Sequence, residues 1–321
     1  MKKQRVGIIG TGLHGSRYAR HIINDVEGLE LSMISRRSDE VSVQAREWGV
    51  EYTRNWQELV AADNVDAVIA VTYPTMNLEI ARWCAQHSKA LLLEKPMAAS
   101  SEESMEIEQM FGERGLKLSV GQTLRYNGVI TSLRENLPDM GRLFSFSANQ
   151  RLEPSTLEWH YKPEHAGSGV SFHTAVHVFD ALRFITGKNI ARVFALCRSR
   201  VNPALEDLLC VLVEMEDGVV GTVDCSKVGG ARSGRFEFVC GDGQLHGDQI
   251  HDILERITGN RRENVVHPEP AGTIVPLLLD WYDYLVDRGP NPITGEDGRL
   301  AVRACEACLW SARSGEWVDV I

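Results

Sequence analysis

The sequence predicts an α/β chain of two domains, a doubly wound parallel sheet followed by a domain built on an antiparallel sheet. Short apolar runs alternate with amphipathic stretches from Val6 to Val120, the pattern of strands buried on both faces and joined by helical crossovers. From Arg142 onward apolar residues recur at every second position instead, as in Phe144, Phe146 and Ala148. That period marks strands with one covered face. The 321 residues suffice for two cores.

Taken in order, Val6-Gly7-Ile8-Ile9 is the first buried strand. It runs into Gly10-Thr11-Gly12-Leu13-His14-Gly15 and then an amphipathic stretch through Ile23. In a strand–turn–helix of this kind Gly10 permits the tight turn, Gly12 lets the backbone approach a pyrophosphate, and Gly15 lets helix and strand pack closely. The N–H groups and positive end of the helix receive the phosphates. A purely structural glycine turn is the bland alternative. The position between a buried strand and a helix favours the dinucleotide loop.

Leu29 to Ile34 reads as the second strand, ending at Ser35-Arg36-Arg37-Ser38. A site selective for NAD places an acid about 20 residues after the last glycine, on the ribose 2′-hydroxyl. Counting from Gly15 lands on Ser35. Arg36 and Arg37 can hold a 2′-phosphate through bidentate, charge-assisted hydrogen bonds. A solvated basic turn is the other reading, but the missing acid and the two arginines both favour NADP over NAD.

Ser38 to Trp48 reads as a helix with Ser38 as N-cap, and Asn55-Trp56-Gln57-Glu58 opens another through Ala62. Asp66 to Val71 and Ala90 to Leu93 are buried strands, with a helix from Leu78 to His87 between them. Ser100 to Gly112 is an acidic helix, and Leu116 to Val120 closes the sheet. Ligands bind beyond the carboxyl ends of such strands. Thr72-Tyr73-Pro74 and Glu94-Lys95-Pro96 are therefore candidate cofactor-site segments. Lys95, fixed between a strand end and a proline that is open to the cis form, is a candidate catalytic residue. Its alternative is a surface lysine.

The formal charge of −10 argues against nucleic acid or an anionic membrane as partner. No apolar run approaches the length of a bilayer span. Met1-Lys2-Lys3-Gln4-Arg5 mimics a signal n-region, but the apolar run after it stops at Gly10. A cytoplasmic location is expected. Seven scattered cysteines fit reduced thiols used as small core residues. Cys305-Glu306-Ala307-Cys308 has metal or redox spacing but stands alone, in a helical pattern from Gly298 to Arg313.

In the second half Val219, Gly221, Val223 and Cys225 alternate with polar residues, as do Phe236, Phe238 and Cys240. Among these strands lies a helix, Val170 to Thr186, with His173 and His177 four apart on one face. The two are polar core residues, zinc ligands, or the acid/base of a proton transfer. The glutamate of H-E-x-x-H is missing at Thr174 and no third ligand is evident, so no metal is assigned. Histidine suits moving an alcohol proton near neutral pH.

The Gly10–Gly15 loop, Glu94-Lys95-Pro96, Arg125 after Val120-Gly121, and Gly167-Ser168-Gly169 followed by His177 and Asp180 give the chain its resemblance to the Gfo/Idh/MocA oxidoreductases. The resemblance runs nearly end to end, through Thr294-Gly295-Glu296-Asp297-Gly298. It implies a Rossmann domain over residues 1–122 and an α/β domain over residues 123–321 with a large open, mostly antiparallel sheet. A C-terminal helix is able to pack back on the first domain. It further implies a sugar- or cyclitol-like substrate, Lys95 polarising or positioning the substrate oxygen, and His177 as general acid/base. Arg125, Trp159, His160, Tyr161 and His173 are the candidate substrate residues. Arg151 and Lys162 join Arg125 as possible receivers of an acidic group. An open sheet with one covered face predicts a homodimer or homotetramer.

Two departures from the family stand out. An Asp is usual where His173 stands, and many members have His at Asn77. The first removes a carboxylate that would position substrate or tune proton transfer. A non-catalytic, dinucleotide-binding sensor or regulatory protein on the same scaffold is therefore the alternative. Lys95 together with His177 favours the enzyme.

Overall fold

Strands that are apolar on both faces build the first sheet. The computed structural model describes residues 3–268 and 272–321, and Met1 and Lys2 of the basic opening lie outside them. Residues 1–123 and 273–299 form one unit; residues 124–272 and 300–321 form the other.

In the first unit the order is β1 (Gln4–Ile9), α1 (Leu13–Asn24), β2 (Leu29–Ser35), α2 (Glu40–Trp48), β3 (Glu51–Thr53), α3 (Trp56–Ala61), β4 (Ala67–Ala70), α4 (Asn77–Gln86), β5 (Ala90–Glu94), α5 (Ser101–Glu113) and β6 (Leu118–Gly121). The sheet is parallel throughout, with strand order β3-β2-β1-β4-β5-β6. Its central side chains, among them Val6, Ile8, Val68, Ile69 and Leu92, are fully buried. The order reverses between β1 and β4, which opens a crevice at their carboxyl ends.

One strand lies beyond the sequence reading, and one local expectation changes. β3 is too short and too exposed at Glu51 and Tyr52 to show a periodicity. Ser38 does not cap α2. The helix begins at Glu40, Asp39 holds the cap position with helical backbone, and the Ser38 hydroxyl turns to the Glu40 carboxylate. Asn55 does cap α3, accepting from Gln57 N at 3.1 Å.

The segment 273–299 returns to this unit through α9 (Ile274–Leu285) and the start of α10 (Gly295–Ser314). It closes the exposed edge of β6. Val120 N donates to Ile293 O, and the Asn291 side chain bonds Ser119 Oγ and Leu118 O. Lys117 Nζ reaches the carbonyls of Tyr284 and Leu285, cations being favoured at a helix C-terminus. Covering an edge strand removes a row of unpaired backbone groups. The expected 123–321 block is thus interrupted, and the second unit is discontinuous.

That second unit contains α6 (Gly128–Asn136), β7 (Leu143–Arg151), α7 (Pro163–Ala166), α8 (Val176–Thr186), β8 (Ile190–Arg198), β9 (Leu208–Met215), β10 (Val220–Ser226), β11 (Arg235–Cys240), β12 (Gly243–Asp248), β13 (Ile253–Thr258), β14 (Arg261–Asn264), the rest of α10, and β15 (Val318–Asp319). Its nine strands run in the order β14-β13-β12-β11-β7-β10-β9-β8-β15, antiparallel except for the β7–β10 pair. Phe146, Ala148, Val211, Val223, Phe236 and Phe238 lie buried on the inner face. The expected helix over Val170–Thr186 divides into a π turn, Ser171–Ala175, followed by α8. Ser171 O accepts from Val176 N and also from the Cys305 thiol at 3.2 Å. Cys305 and Cys308 are buried, and burial pushes both thiols well up, which leaves them protonated packing groups. No helix among the described residues is long and apolar enough to cross a membrane.

Candidate active site

The first unit gathers its chemistry at the carboxyl ends of β1, β2, β4 and β5. β1 ends at Ile9, and Gly10 turns with φ of 90°, where a Cβ would stand 2.2 Å from Val71 O. A Cβ on Gly15 would stand 2.0 Å from Gly10 O, so helix and turn touch through backbone. Around Gly12 a Cβ would meet nothing within 4 Å. Gly12 caps α1 with no side-chain hydrogen bond, and the first turn of α1 carries no acid. Backbone donors at a helix N-terminus, open space before them and no competing carboxylate are what a pyrophosphate requires. The residues fit a dinucleotide.

Gln44 holds this loop from below. It accepts from Thr11 Oγ1 at 2.7 Å and donates to Thr11 O at 3.0 Å and Ser16 Oγ at 3.1 Å. Leu13 stands exposed on the lip of the loop. Ser35 is buried, and its carbonyl receives Gly10 N at 2.8 Å. Arg36 donates to Thr11 O at 3.3 Å and pairs with Glu40. Arg37 lies over the Tyr73 ring, 5.9 Å from its centroid. After β4, Thr72 Oγ1 donates to Asn77 Oδ1 at 2.7 Å, and Asn77 Nδ2 reaches Pro96 O and Met97 O. Asn77 therefore ties the turn through Thr72, Tyr73 and Pro74 to the segment after Lys95.

Glu94 is buried at the end of β5. It accepts from Tyr18 Oη at 2.6 Å and Lys95 N at 3.0 Å, and its Oε1 lies 2.9 Å from His14 Nε2. Burial works against the charged carboxylate, but the His14 and Tyr18 hydrogen bonds and the nearby Lys95 charge outweigh it and hold Glu94 below its ordinary range. Lys95 is half-buried, and the Lys95–Pro96 bond is cis. Burial lowers the Lys95 pKa, and Glu94 partly restores it.

The second unit builds a small, partly open pocket from separate irregular segments. Trp159, His160 and Tyr161 sit on a 3-10 turn, Glu158–Tyr161. The His160 ring stacks on His173 of the π turn, with centroids 3.9 Å apart and planes at 23°, and Trp159 meets both rings edge-on. Tyr161 Oη donates to Ser155 O. His173 is buried, whereas His177 in the first turn of α8 is half-buried. Glu206 satisfies the amino end of the π turn. It accepts from Gly169 N, Ser171 N and the hydroxyls of Ser168 and Ser171. Asp207 accepts from the N–H groups of Arg200, Val201 and Asn202. Lys227, just past β10, brings Nζ to 3.4 Å from His160 Nδ1.

Two expected anion receivers are engaged elsewhere. Arg125 closes its guanidinium fork on Asp180 at 2.9 and 2.6 Å, with side chains only 11% and 1% exposed. This braces α8 and does not present the fork to a substrate. Arg151 pairs with Asp224 at 2.5 Å, a diagonal neighbour two residues before its register partner Ser226 in the parallel β7–β10 pair. Lys162 is exposed. Among the described residues no group of three or more His, Cys, Asp or Glu side chains is arranged to hold a metal ion.

Sequence reasoning missed Gln44, Tyr18, Glu206 and Lys227. Lys227 alone had a usable signal, since it follows the alternating run that ends at Cys225.

Residues 4–122 match the model of an oxidoreductase family with an NAD-binding Rossmann fold, and residues 139–246 match the GFO/IDH/MocA C-terminal domain. The chain belongs to the Gfo/Idh/MocA oxidoreductases. It is 25% identical over 239 residues to scyllo-inositol 2-dehydrogenase (NAD(+)) of Bacillus subtilis (strain 168), covering 70% of this chain and 67% of that protein. It is 24% identical over 330 residues, 98% of each chain, to 1,5-anhydro-D-fructose reductase of Ensifer adhaerens. Levoglucosan dehydrogenase, solved in complex with NADH, shares the fold with a TM-score of 0.90 over 100% of both chains at 22% identity. As a member of this family the chain is an enzyme of the dehydrogenase/reductase class.

Proposed function

We propose that the chain catalyses NADP-dependent hydride transfer at an oxygen-bearing carbon of a sugar, cyclitol or related small molecule. The setting of Lys95 carries this reading. It is half-buried just past the carboxyl end of β5, on the strand next to the β1–β4 crevice, beside Glu94, whose carboxylate is held below its ordinary range. A lysine held below its ordinary pKa exchanges a proton nearer neutral pH than a surface lysine does. A sensor that only binds a dinucleotide has no need of one.

When bound, the nicotinamide supplies the acceptor or donor of the hydride. The Gly10–Gly15 loop holds the pyrophosphate, and Lys95 orients and polarises the oxygen of the reacting carbon. His177 exchanges the proton of that oxygen. NADP over NAD is supported by buried Ser35 at the end of β2, which offers no carboxylate to a ribose hydroxyl, and by Arg36 and Arg37 after it. One Arg–phosphate contact contributes about 1.5–3 kcal/mol, and Glu40 competes for Arg36 only. Fluorescence titration is expected to show at least about tenfold tighter NADPH than NADH binding. Equal constants, or tighter NADH, would overturn the preference. Offered a panel of keto-sugars, the enzyme oxidises NADPH, whereas a sensor binds it and stops.

The outer face of the nine-stranded sheet supports a homodimer or homotetramer. Leu196, Leu212, Val220 and Val239 each stand at least 40% exposed on it, and Leu212 is paired in register with Phe194. Exposed apolar residues spread over four strands of one face favour association. Light scattering at micromolar concentration is expected to show more than one chain per particle, and a monomer would count against it. The free cysteines suit a reducing compartment such as the cytoplasm.

A further inference from the structure

The turn after β2 carries acids as well as arginines. Asp39 and Glu40 follow closely on Arg36 and Arg37, and each is paired: Asp39 with Arg54, and Glu40 with Arg36, four residues before it. The Arg36 guanidinium is spanned between two partners. Its Nη1 donates to Thr11 O of the glycine loop at 3.3 Å, and its Nη2 donates to the Glu40 carboxylate. That carboxylate also accepts from Ser38 Oγ at 3.4 Å. Arg37 lies instead over the Tyr73 ring, and Arg54 balances Asp39, so Glu40 is the acid that acts on Arg36. A carboxylate and a phosphate ask the same of a guanidinium, two N–H groups along one edge of the fork. Both two-donor edges include Nη2, and Glu40 already holds it.

We propose that Glu40 is a specificity-determining residue of the cofactor site: its carboxylate takes the place on Arg36 that a ribose 2′-phosphate would take, and so limits the preference for NADP. This rests on the reading of Ser35-Arg36-Arg37 as the 2′-phosphate site. The pair is open to solvent, with side chains 29% and 65% exposed, so a ligand can exchange for it. A pair of this kind changes an equilibrium constant by up to about fivefold. Repulsion between Glu40 and an entering phosphate of about two negative charges adds to that. An acid in the first turn of α2 is also favoured by the helix N-terminus. That helical role bears equally on both cofactors, whereas competition for Arg36 bears on NADPH alone.

The test is fluorescence titration of the full chain with NADPH and with NADH, in the wild type, Glu40→Gln, Arg36→Met and the double variant. Glu40→Gln is expected to tighten NADPH by about three- to tenfold and to leave NADH unchanged, which also shows that the variant is folded. The gain is expected to be smaller in the Arg36→Met background and to shrink as salt is added. An unchanged NADPH constant in Glu40→Gln would overturn the proposal. So would an equal change for both cofactors, the mark of an acid that serves only the helix. Weaker NADH binding in Glu40→Gln would make Glu40 a ribose ligand, and a gain of the same size without Arg36 would take the arginine out of the account; either overturns it. The wild-type ratio judges the underlying reading separately. NADH bound as tightly as NADPH by the wild type, with a gain for NADPH alone in Glu40→Gln, keeps the role of Glu40 and removes the NADP preference. NADPH preferred by the wild type, with no gain in the variant, keeps the preference and removes Glu40 from it.

Discussion

In the first unit Gly10 follows β1, Ser35 ends β2, Thr72 lies just beyond β4, and Glu94 ends β5. In the second, His160, His173, Glu206 and Lys227 come from a 3-10 turn, a π turn, a loop and the residue after a strand. The first arrangement is fixed by the ladder of a buried parallel sheet, which sets every strand end by the same rule. The second has no such ladder at the pocket, and carboxylates hold it instead. Asp180 grips Arg125, and Glu206 and Asp207 gather backbone N–H groups. Where regular structure supplies the positions, charged side chains are left for chemistry. Where it does not, some of them become scaffold.

On the proposed reading Lys95 and His177 are the chemical groups and Asp180 is a brace, and the contrast can be broken at each. The largest effect is expected from Lys95→Ala and His177→Ala, one in each unit. Each should lower turnover by about 10²–10⁴, the range for a lost acid/base group, with NADPH affinity near wild type. His173→Ala should matter less. Single-turnover kinetics on the three variants decides it. An active His177→Ala enzyme removes that residue from the mechanism, and equal damage at both histidines together with sensitivity to chelators would point to a shared metal.

Next in size is Asp180→Ala, which leaves the Arg125 guanidinium buried without its carboxylate fork. Breaking a buried ion pair in this way costs about 3–5 kcal/mol, read by urea denaturation. A loss below about 1 kcal/mol, the level of a surface pair, would show that α8 does not depend on the brace.

The smallest effect is expected from Glu94→Gln, about 1.5–3 kcal/mol for hydrogen bonds to a charged group. Its sign with pH is definite. The folded pKa of Glu94 lies below its ordinary value, so the stabilisation is fully present above the unfolded value of about 4.3. It is lost as pH falls through the folded value. The stability gap between wild type and variant should hold constant near neutrality and close only in acid. A gap that widened on acidification would mean that Glu94 is protonated in the fold.

The sequence by itself determined the alternation of strands and helices in the first unit, the period-two sheet of the second, the glycine loop, and the placing of Lys95 at a strand end. These are written in neighbouring residues, because burial repeats every two or 3.6 positions and a tight turn needs its glycines in place. The tertiary structure alone decided the rest. It brought Asn291 to Ser119 from 172 residues away, Asp180 to Arg125 from 55, and Lys227 to His160 from 67. It also widened a predicted helix into the π turn that carries His173. Such pairings leave no local mark, since an arginine that braces a helix and one that awaits a substrate carry the same side chain. What separates them is the partner that folding brings within reach.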